Sequence, residues 1–282
     1  MTALVVTGFG LNCEEESVAA YRKAGASARA VHAADLFSGA VSLRGASIVH
    51  LSGGFSFGDD LGSGRVFANR LRLGRLPSGS TVLRELAAFV ADGGLVFGVC
   101  NGFQILVRAG LLPNLSGAFE PEVTLAHNDS GRFEDRWVSC LAGPSPSPAF
   151  QGAPRFELPV RHGEGRLVTR DAEVHDALVR QRLVALQYAD ADGPQQAYPA
   201  NPNGSALACA ALTDPSGRVL GAMPHPEAYL RPELHPAWPT RARARREDDG
   251  EGDGGDEPSD GLRVFRNLVE AARASGRLKD AP

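Results

Sequence analysis

Leu95-Val96-Phe97-Gly98-Val99-Cys100-Asn101-Gly102-Phe103-Gln104-Ile105-Leu106 is the stretch on which the fold turns. Leu95 to Val99 is a short apolar run of strand length, and Phe103 to Ala109 reads as a helix. Between them, Gly98-Val99-Cys100-Asn101-Gly102 places a glycine two residues to either side of a cysteine. That spacing permits a sharp strand-to-helix turn, which holds a reactive side chain out at the carboxyl end of a sheet. A thiol so placed lies at a helix N-terminus, where free N–H groups and the helix dipole favour thiolate. The same pentapeptide, taken alone, also describes a structural cysteine between two packing glycines.

Outward from this turn, strands and helices alternate. Leu4 to Thr7 and Ile48 to Leu51 read as strands, and Glu14 to Ala24 as a helix. Thr81 to Ala91 carries Leu83, Leu86, Ala87 and Val90 at helical spacing. Such alternation predicts an α/β fold, a mostly parallel sheet flanked by helices. Past Leu112 the texture changes to shorter strands and more turns, so extra short strands are expected in the second half of one domain spanning 1–282. The segment from Thr240 to Asp260 holds Arg241, Arg243, Arg245 and Arg246, then an acidic, glycine-rich run. With almost nothing apolar to bury it cannot offset the entropy of ordering, and a disordered surface insertion is expected. Leu262 to Ala274 puts Val264, Phe265, Leu268 and Val269 on one helical face that should pack back onto the fold.

Composition narrows the function. The 282 residues are 43% hydrophobic, and 29 basic against 33 acidic side chains leave a formal charge of -4. A broad nucleic-acid surface needs clustered positive charge, so no nucleic-acid partner is expected. No stretch approaches the ~20 apolar residues of a spanning helix, and Met1 to Val6 lacks the charged region of a secretory signal. The four cysteines (Cys13, Cys100, Cys140, Cys209) are too scattered for a disulfide framework or a zinc site. A reducing cytoplasm, where a free thiolate survives, is the expected location. Cys13, Cys140 and Cys209 read as packed thiols, and His50 and His127 receive no role.

Two further segments bear on Cys100. Ser52-Gly53-Gly54-Phe55-Ser56-Phe57-Gly58-Asp59-Asp60 follows a strand but lacks the lysine and the ending of a phosphate-binding loop. It reads better as a backbone donor, with the Gly54 N–H joining that of Asn101 around an oxyanion. Gly221-Ala222-Met223-Pro224-His225-Pro226-Glu227 supplies a histidine and a carboxylate two residues apart, on one side of an extended chain stiffened by Pro226. A thiolate attacking an amide needs a base that later acts as an acid, oriented by a carboxylate. His225 and Glu227 suit those roles.

Together these pieces resemble the triad-type (class I) glutamine amidotransferases, and among them the glutaminase components of phosphoribosylformylglycinamidine synthases. Further marks are Gly10-Leu11-Asn12-Cys13-Glu14, Arg132-Phe133-Glu134, His162-Gly163-Glu164-Gly165-Arg166 and Tyr198-Pro199-Ala200-Asn201-Pro202-Asn203-Gly204-Ser205. The resemblance implies a flavodoxin-like sheet, with Cys100 as nucleophile, His225 as base and Glu227 as its orienting partner. It puts Gly54 and Asn101 at the oxyanion hole, and Gln104 with His162, Gly163 and Glu164 near bound L-glutamine. It also implies a synthetase partner, with a small accessory subunit in some assemblies. ATP and magnesium are expected on that partner, and no cofactor or metal in this chain. The plain reading is a free-standing subunit. After Glu227, where the family commonly has arginine, this chain has Ala228. Two other readings stay in view. A peptidase of the same fold typically has histidine directly after the cysteine, where Asn101 stands here, and a non-catalytic scaffold would be expected to have lost part of the triad.

Overall fold

A computed structural model of the chain describes residues 1–249 and 258–277. In chain order the first half comprises β1 (Thr2–Thr7), α1 (Glu14–Lys23), β2 (Ser27–His32), α2 (Ala33–Ser38), β3 (Ile48–Leu51), α3 (Arg65–Leu73), α4 (Val82–Ala91), β4 (Leu95–Val99) and α5 (Asn101–Ala109). The second half comprises β5 (Val123–Ala126), β6 (Glu134–Ala142), β7 (Arg155–His162), β8 (Arg166–Thr169), α6 (Ala172–Arg180), β9 (Val184–Asp190), β10 (Gly193–Pro194), β11 (Cys209–Thr213), β12 (Val219–Ala222), α7 (Trp238–Asp249) and α8 (Asp260–Ala274).

The main sheet runs β2-β1-β3-β4-β12-β11-β9-β6-β7, with β10 paired to β9, while β5 and β8 form a separate ribbon. From β2 to β12 every pairing is parallel. From β12 outward every pairing is antiparallel. This is the expected mostly parallel α/β sheet, with short strands added in the second half. β3 and β4 are buried along their whole length, which is why β4 reads as an unbroken apolar run and β3 as one interrupted only by His50, rather than as alternating ones. Thr81 caps α4 by accepting a hydrogen bond from the Arg84 N–H at 3.3 Å.

α1 and α8 pack together on one layer, and α3 meets α4 and α5 in another. Phe265 of α8 lies edge-on to Tyr21 of α1 at 4.9 Å and against Phe97 of β4 at 6.3 Å. Val264, Phe265, Leu268 and Val269 are all buried, so the last helix does pack back. Cys140 and Cys209 are core residues whose thiols burial pushes well up. The charged segment differs from expectation: it is helical from Trp238 to Asp249, with Arg241 paired to Glu157 of β7. A run without an apolar stripe can still be helical, because arginine and glutamate are good helix formers. The rest of the expected insertion, 250–257, lies outside the described residues.

His50, given no role from sequence, is a buried core histidine. Its ring nitrogens lie 3.2 Å from Ser17 Oγ and 3.2 Å from Tyr21 Oη. Burial pushes it down to about 4, against a smaller upward pull from Glu227. The unfolded chain titrates near 6.5 and so binds more protons below that pH, and stability must fall with acid. From pH 7 to pH 5 this group alone should remove about 2 kcal/mol. Urea unfolding at the two pH values should show that loss shrinking in His50→Gln, and an unchanged loss would exonerate His50.

Candidate active site

The sheet order explains how distant motifs meet. β1, β3, β4 and β12 are successive parallel neighbours, so their carboxyl ends lie along one edge. Those ends deliver Gly8 to Cys13, Ser52 to Asp60, Cys100, and His225 to Glu227 respectively. Ligand crevices in such sheets form outside the strand carboxyl ends.

Cys100 sits at the turn between β4 and α5 with φ 51° and ψ -104°, a conformation that non-glycine residues rarely hold. The flanking glycines are there for space. A Cβ at Gly102 would lie 2.0 Å from the Leu51 carbonyl, and one at Gly98 would lie 2.6 Å from the Gly102 carbonyl. Only bare backbone lets α5 start so close to β3 and β4. The first-turn N–H of Asn101 has no intrahelical partner and is free to face an oxyanion.

Beside the thiol, the second glycine loop is held by its neighbour. Asn12 N–H donates to Gly53 O at 2.8 Å, and Phe55 N–H donates to Gly10 O at 2.8 Å. Gly54, at φ 120°, bridges Leu11; a Cβ there would meet Gly10 O at 2.4 Å. A Cβ at Gly53 would stand 3.0 Å from His225 Cε1 and 3.7 Å from Cys100 Cβ, so this loop lies against both. The Gly10 to Glu14 motif therefore acts as a strut for the donor loop.

His225 N–H donates to Pro159 O at 2.8 Å, tying the turn to β7. The expected extended geometry of this segment is not what forms: Pro226–Ala228 is a 3₁₀ turn. The turn nevertheless brings His225 Nδ1 to 2.5 Å from Glu227 Oε1, both side chains being almost wholly buried. Burial works against charge on His225, but the Glu227 carboxylate and the nearby thiols of Cys100 and Cys13 more than offset it, and the imidazole is held well above its ordinary value. Burial likewise opposes charge on Glu227, and the His225 imidazolium outweighs it, keeping the carboxyl below its usual value. Both shifts favour the imidazolium–carboxylate form of the pair. Nε2 makes no hydrogen bond of ordinary geometry among the described residues.

Gly54, Cys100, Gln104, His162, Gly163 and Glu164 line one cavity of about 200 Å³. Six of the nine expected residues therefore meet at a single opening, with Asn101 directly behind Cys100 and the His225–Glu227 pair beneath it. Gln104 is anchored at both ends of its amide: the oxygen accepts from Asn101 Nδ2 at 2.8 Å, and Nε2 donates to Glu164 O at 2.6 Å. It braces the wall. His162 is buried, burial pushes it down to about 3, and its Nδ1 lies 3.1 Å from Asn128 Oδ1. The Tyr198 to Ser205 motif supports the same loop, Asn203 Nδ2 donating to Gly165 O at 3.0 Å and Ser205 Oγ donating to it at 3.2 Å.

Sequence reading missed Arg161, His127 and Phe133, which also line the cavity. Phe133 lay inside a quoted motif, and Arg161 directly precedes another; His127 carried no signal. Phe55 and Phe133, both about half exposed, lie 6.4 Å apart at the cavity rim.

Over residues 1–270 the chain matches the CobB/CobQ-like glutamine amidotransferase domain. The chain belongs to that family. Among curated relatives of this amidotransferase, phosphoribosylformylglycinamidine synthase subunit PurQ of Dehalococcoides mccartyi is 38% identical over 272 residues, covering 96% of this chain and 97% of that one. The PurQ subunit of Methanococcus maripaludis strain C5 is 34% identical over 273 residues, covering 95% and 97%. The structure of PurLQS from Thermotoga maritima superposes with a TM-score of 0.63 at 27% identity, covering 95% and 97%. Among the described residues of the amidotransferase, no helix is long and apolar enough to cross a membrane.

Proposed function

We propose that this amidotransferase is the glutaminase subunit of a phosphoribosylformylglycinamidine synthase, acting in the cytoplasm. The observation that carries the reading is a thiol opening on the cavity with a buried, hydrogen-bonded His225–Glu227 pair close by, in a chain with near-full-length relatives named for that subunit.

In this reading Cys100 attacks the side-chain amide carbon of glutamine as the thiolate, its proton already held on the His225 imidazolium. The N–H groups of Gly54 and Asn101 receive the oxyanion, a contribution worth ~10² to 10³ in turnover per donor. His225 gives its proton to the departing ammonia, leaving a glutamyl thioester on Cys100. The neutral imidazole then takes a proton from water, whose attack releases glutamate and regenerates the thiolate–imidazolium pair. Glu227 keeps one tautomer and stabilises the imidazolium. Gln104 and Asn101 position the wall formed by Glu164. Ammonia passes to the synthetase, where ATP and magnesium serve to activate the formylglycinamide carbonyl.

Mixed with its cognate synthetase, the chain should support glutamine-dependent formation of the amidine, with one glutamate released per product. Product no greater than that of the synthetase alone would overturn the assignment. The subunit by itself is expected to turn over slowly, because the Gly54 loop carries exposed Phe55 beside the cavity, on a surface that a docking partner can shift.

A further inference from the structure

Cys13 was expected to be a packed thiol, yet it lies beside the catalytic relay. The ligand atoms of Cys13, His225 and Glu227 all fall within 4.8 Å of one another. Glu227 Oε2 and His225 Nε2 are buried without a hydrogen-bond partner among the described residues, so both hold unused lone-pair or donor capacity. The Cys13 thiol donates to Asn12 Oδ1, on its neighbour in the chain, at 3.1 Å.

We propose that Cys13, His225 and Glu227 form a binding site for a zinc-class divalent cation that silences the relay. Thiolate, imidazole and carboxylate are the donors such a borderline-soft ion prefers, and three protein ligands leave a fourth position for water. Bonds of ~2.0–2.3 Å at tetrahedral angles separate ligand atoms by roughly 3.3–3.8 Å. The present cluster needs side-chain adjustments of about 1 Å to reach that geometry, with the His225–Glu227 contact opening and Cys13 closing in. Binding displaces the Cys13 thiol proton and one proton of the His225 imidazolium into solvent. The metal then occupies the lone pairs through which His225 would accept and return a proton.

Access does not run through the substrate cavity. A second cleft of about 470 Å³ is lined by Cys13, Glu16, Lys23, Arg161, Glu227 and Ala228, among others, and so reaches two of the three donors, Cys13 and Glu227. The small Ala228 keeps this approach clear of a long side chain. Lys23, Arg161 and Arg231, also on the lining, repel an arriving cation, and Glu16 and Glu227 offset them only in part, so entry should be slow and equilibrium measurements are the informative ones.

The binding half of the proposal is independent of the glutaminase reading; the silencing half rests on it. The test uses tag-free, full-length Cys100→Ala, which removes the nucleophile as a competing ligand. Equilibrium dialysis against Zn²⁺ should show about one ion per chain, and Co²⁺ should give a sulfur-to-metal charge-transfer band. Cys140 and Cys209 are buried in the core and unable to supply that sulfur. Adding Cys13→Ala, or Cys13→Ser where volume must be kept, should weaken binding at least ~10-fold and abolish the band. Undiminished binding in the double variant, or no uptake by Cys100→Ala, would overturn the site. In the wild-type complex, Zn²⁺ should suppress glutamine hydrolysis and a chelator restore it; metal bound at Cys13 without suppression would refute the silencing.

Discussion

Replacing Cys100 with alanine should lower glutamine-dependent product formation by ~10⁴-fold or more while the assembled synthetase still accepts free ammonia. The size follows from the chemistry: without the thiol no thioester forms, and the cavity retains only its oxyanion donors. The split between the two nitrogen sources follows from the division of labour, since amidation takes place on the partner. Alanine is compatible with the site, because it merely removes Sγ from a residue whose backbone is fixed by the α5 start and the Ala222 O contact to its N–H at 2.8 Å. Glutamine and ammonia should be compared as donors in the same complex. Retained glutamine use would remove Cys100 as nucleophile, whereas loss of both reactions would mean that assembly had been damaged.

Glu227→Gln should cost ~10 to 10³ in turnover, less than the 10⁴ of a serine triad, because a thiol at a helix start depends less on its base. The variant separates charge from shape. Gln keeps the volume in a fully buried position but removes the negative charge that gives His225 its largest upward pull, leaving burial opposed only by the Cys100 and Cys13 thiols, so the imidazole holds its proton less tightly. The sign of the stability effect follows. In the wild type the raised His225 contributes stability that is fully present below about 6.5, its unfolded value, and is lost as pH climbs through the higher folded value. Glu227, depressed in the fold, contributes above about 4.3, its unfolded value, and loses that contribution as acid protonates it. The wild-type advantage over Glu227→Gln should therefore be greatest between roughly pH 4.5 and 6.5 and shrink towards alkaline pH. Chemical denaturation across that range, with NMR titration of His225, reads both quantities. An imidazole that titrates alike in both proteins would take Glu227 out of the relay.

Much of this site was legible because it is written in local patterns. The run from Leu95 to Leu106 names a buried strand, a turn and a helix without help from the rest of the chain. His225 and Glu227 are two residues apart, so their pairing needed no tertiary information, although the reason given for it, extended backbone, was not the one realised. What stayed hidden depends on approach between distant segments. Gly102 is required by the Leu51 carbonyl, fifty-one positions earlier in the chain, and nothing near residue 102 announces that. Arg161 and Cys13 reach the site because β7 and β1 are threaded where they are, and His50 finds Ser17 and Tyr21 only when α1 lies across β3. The helix Trp238–Asp249 went unread for another reason. Absence of an apolar stripe speaks to burial, and burial is not a condition for helical backbone.

The place of β12 has a consequence for the life of the chain as it is made. This late strand slips between β4 and β11 and alone carries the imidazole to the thiol. A nascent or clipped polypeptide ending before Val219 holds the nucleophile and both oxyanion loops but has no acid to release ammonia. Catalytic competence thus cannot precede synthesis of β12 and the turn that follows it, and chains cut short before Val219 are silent towards glutamine.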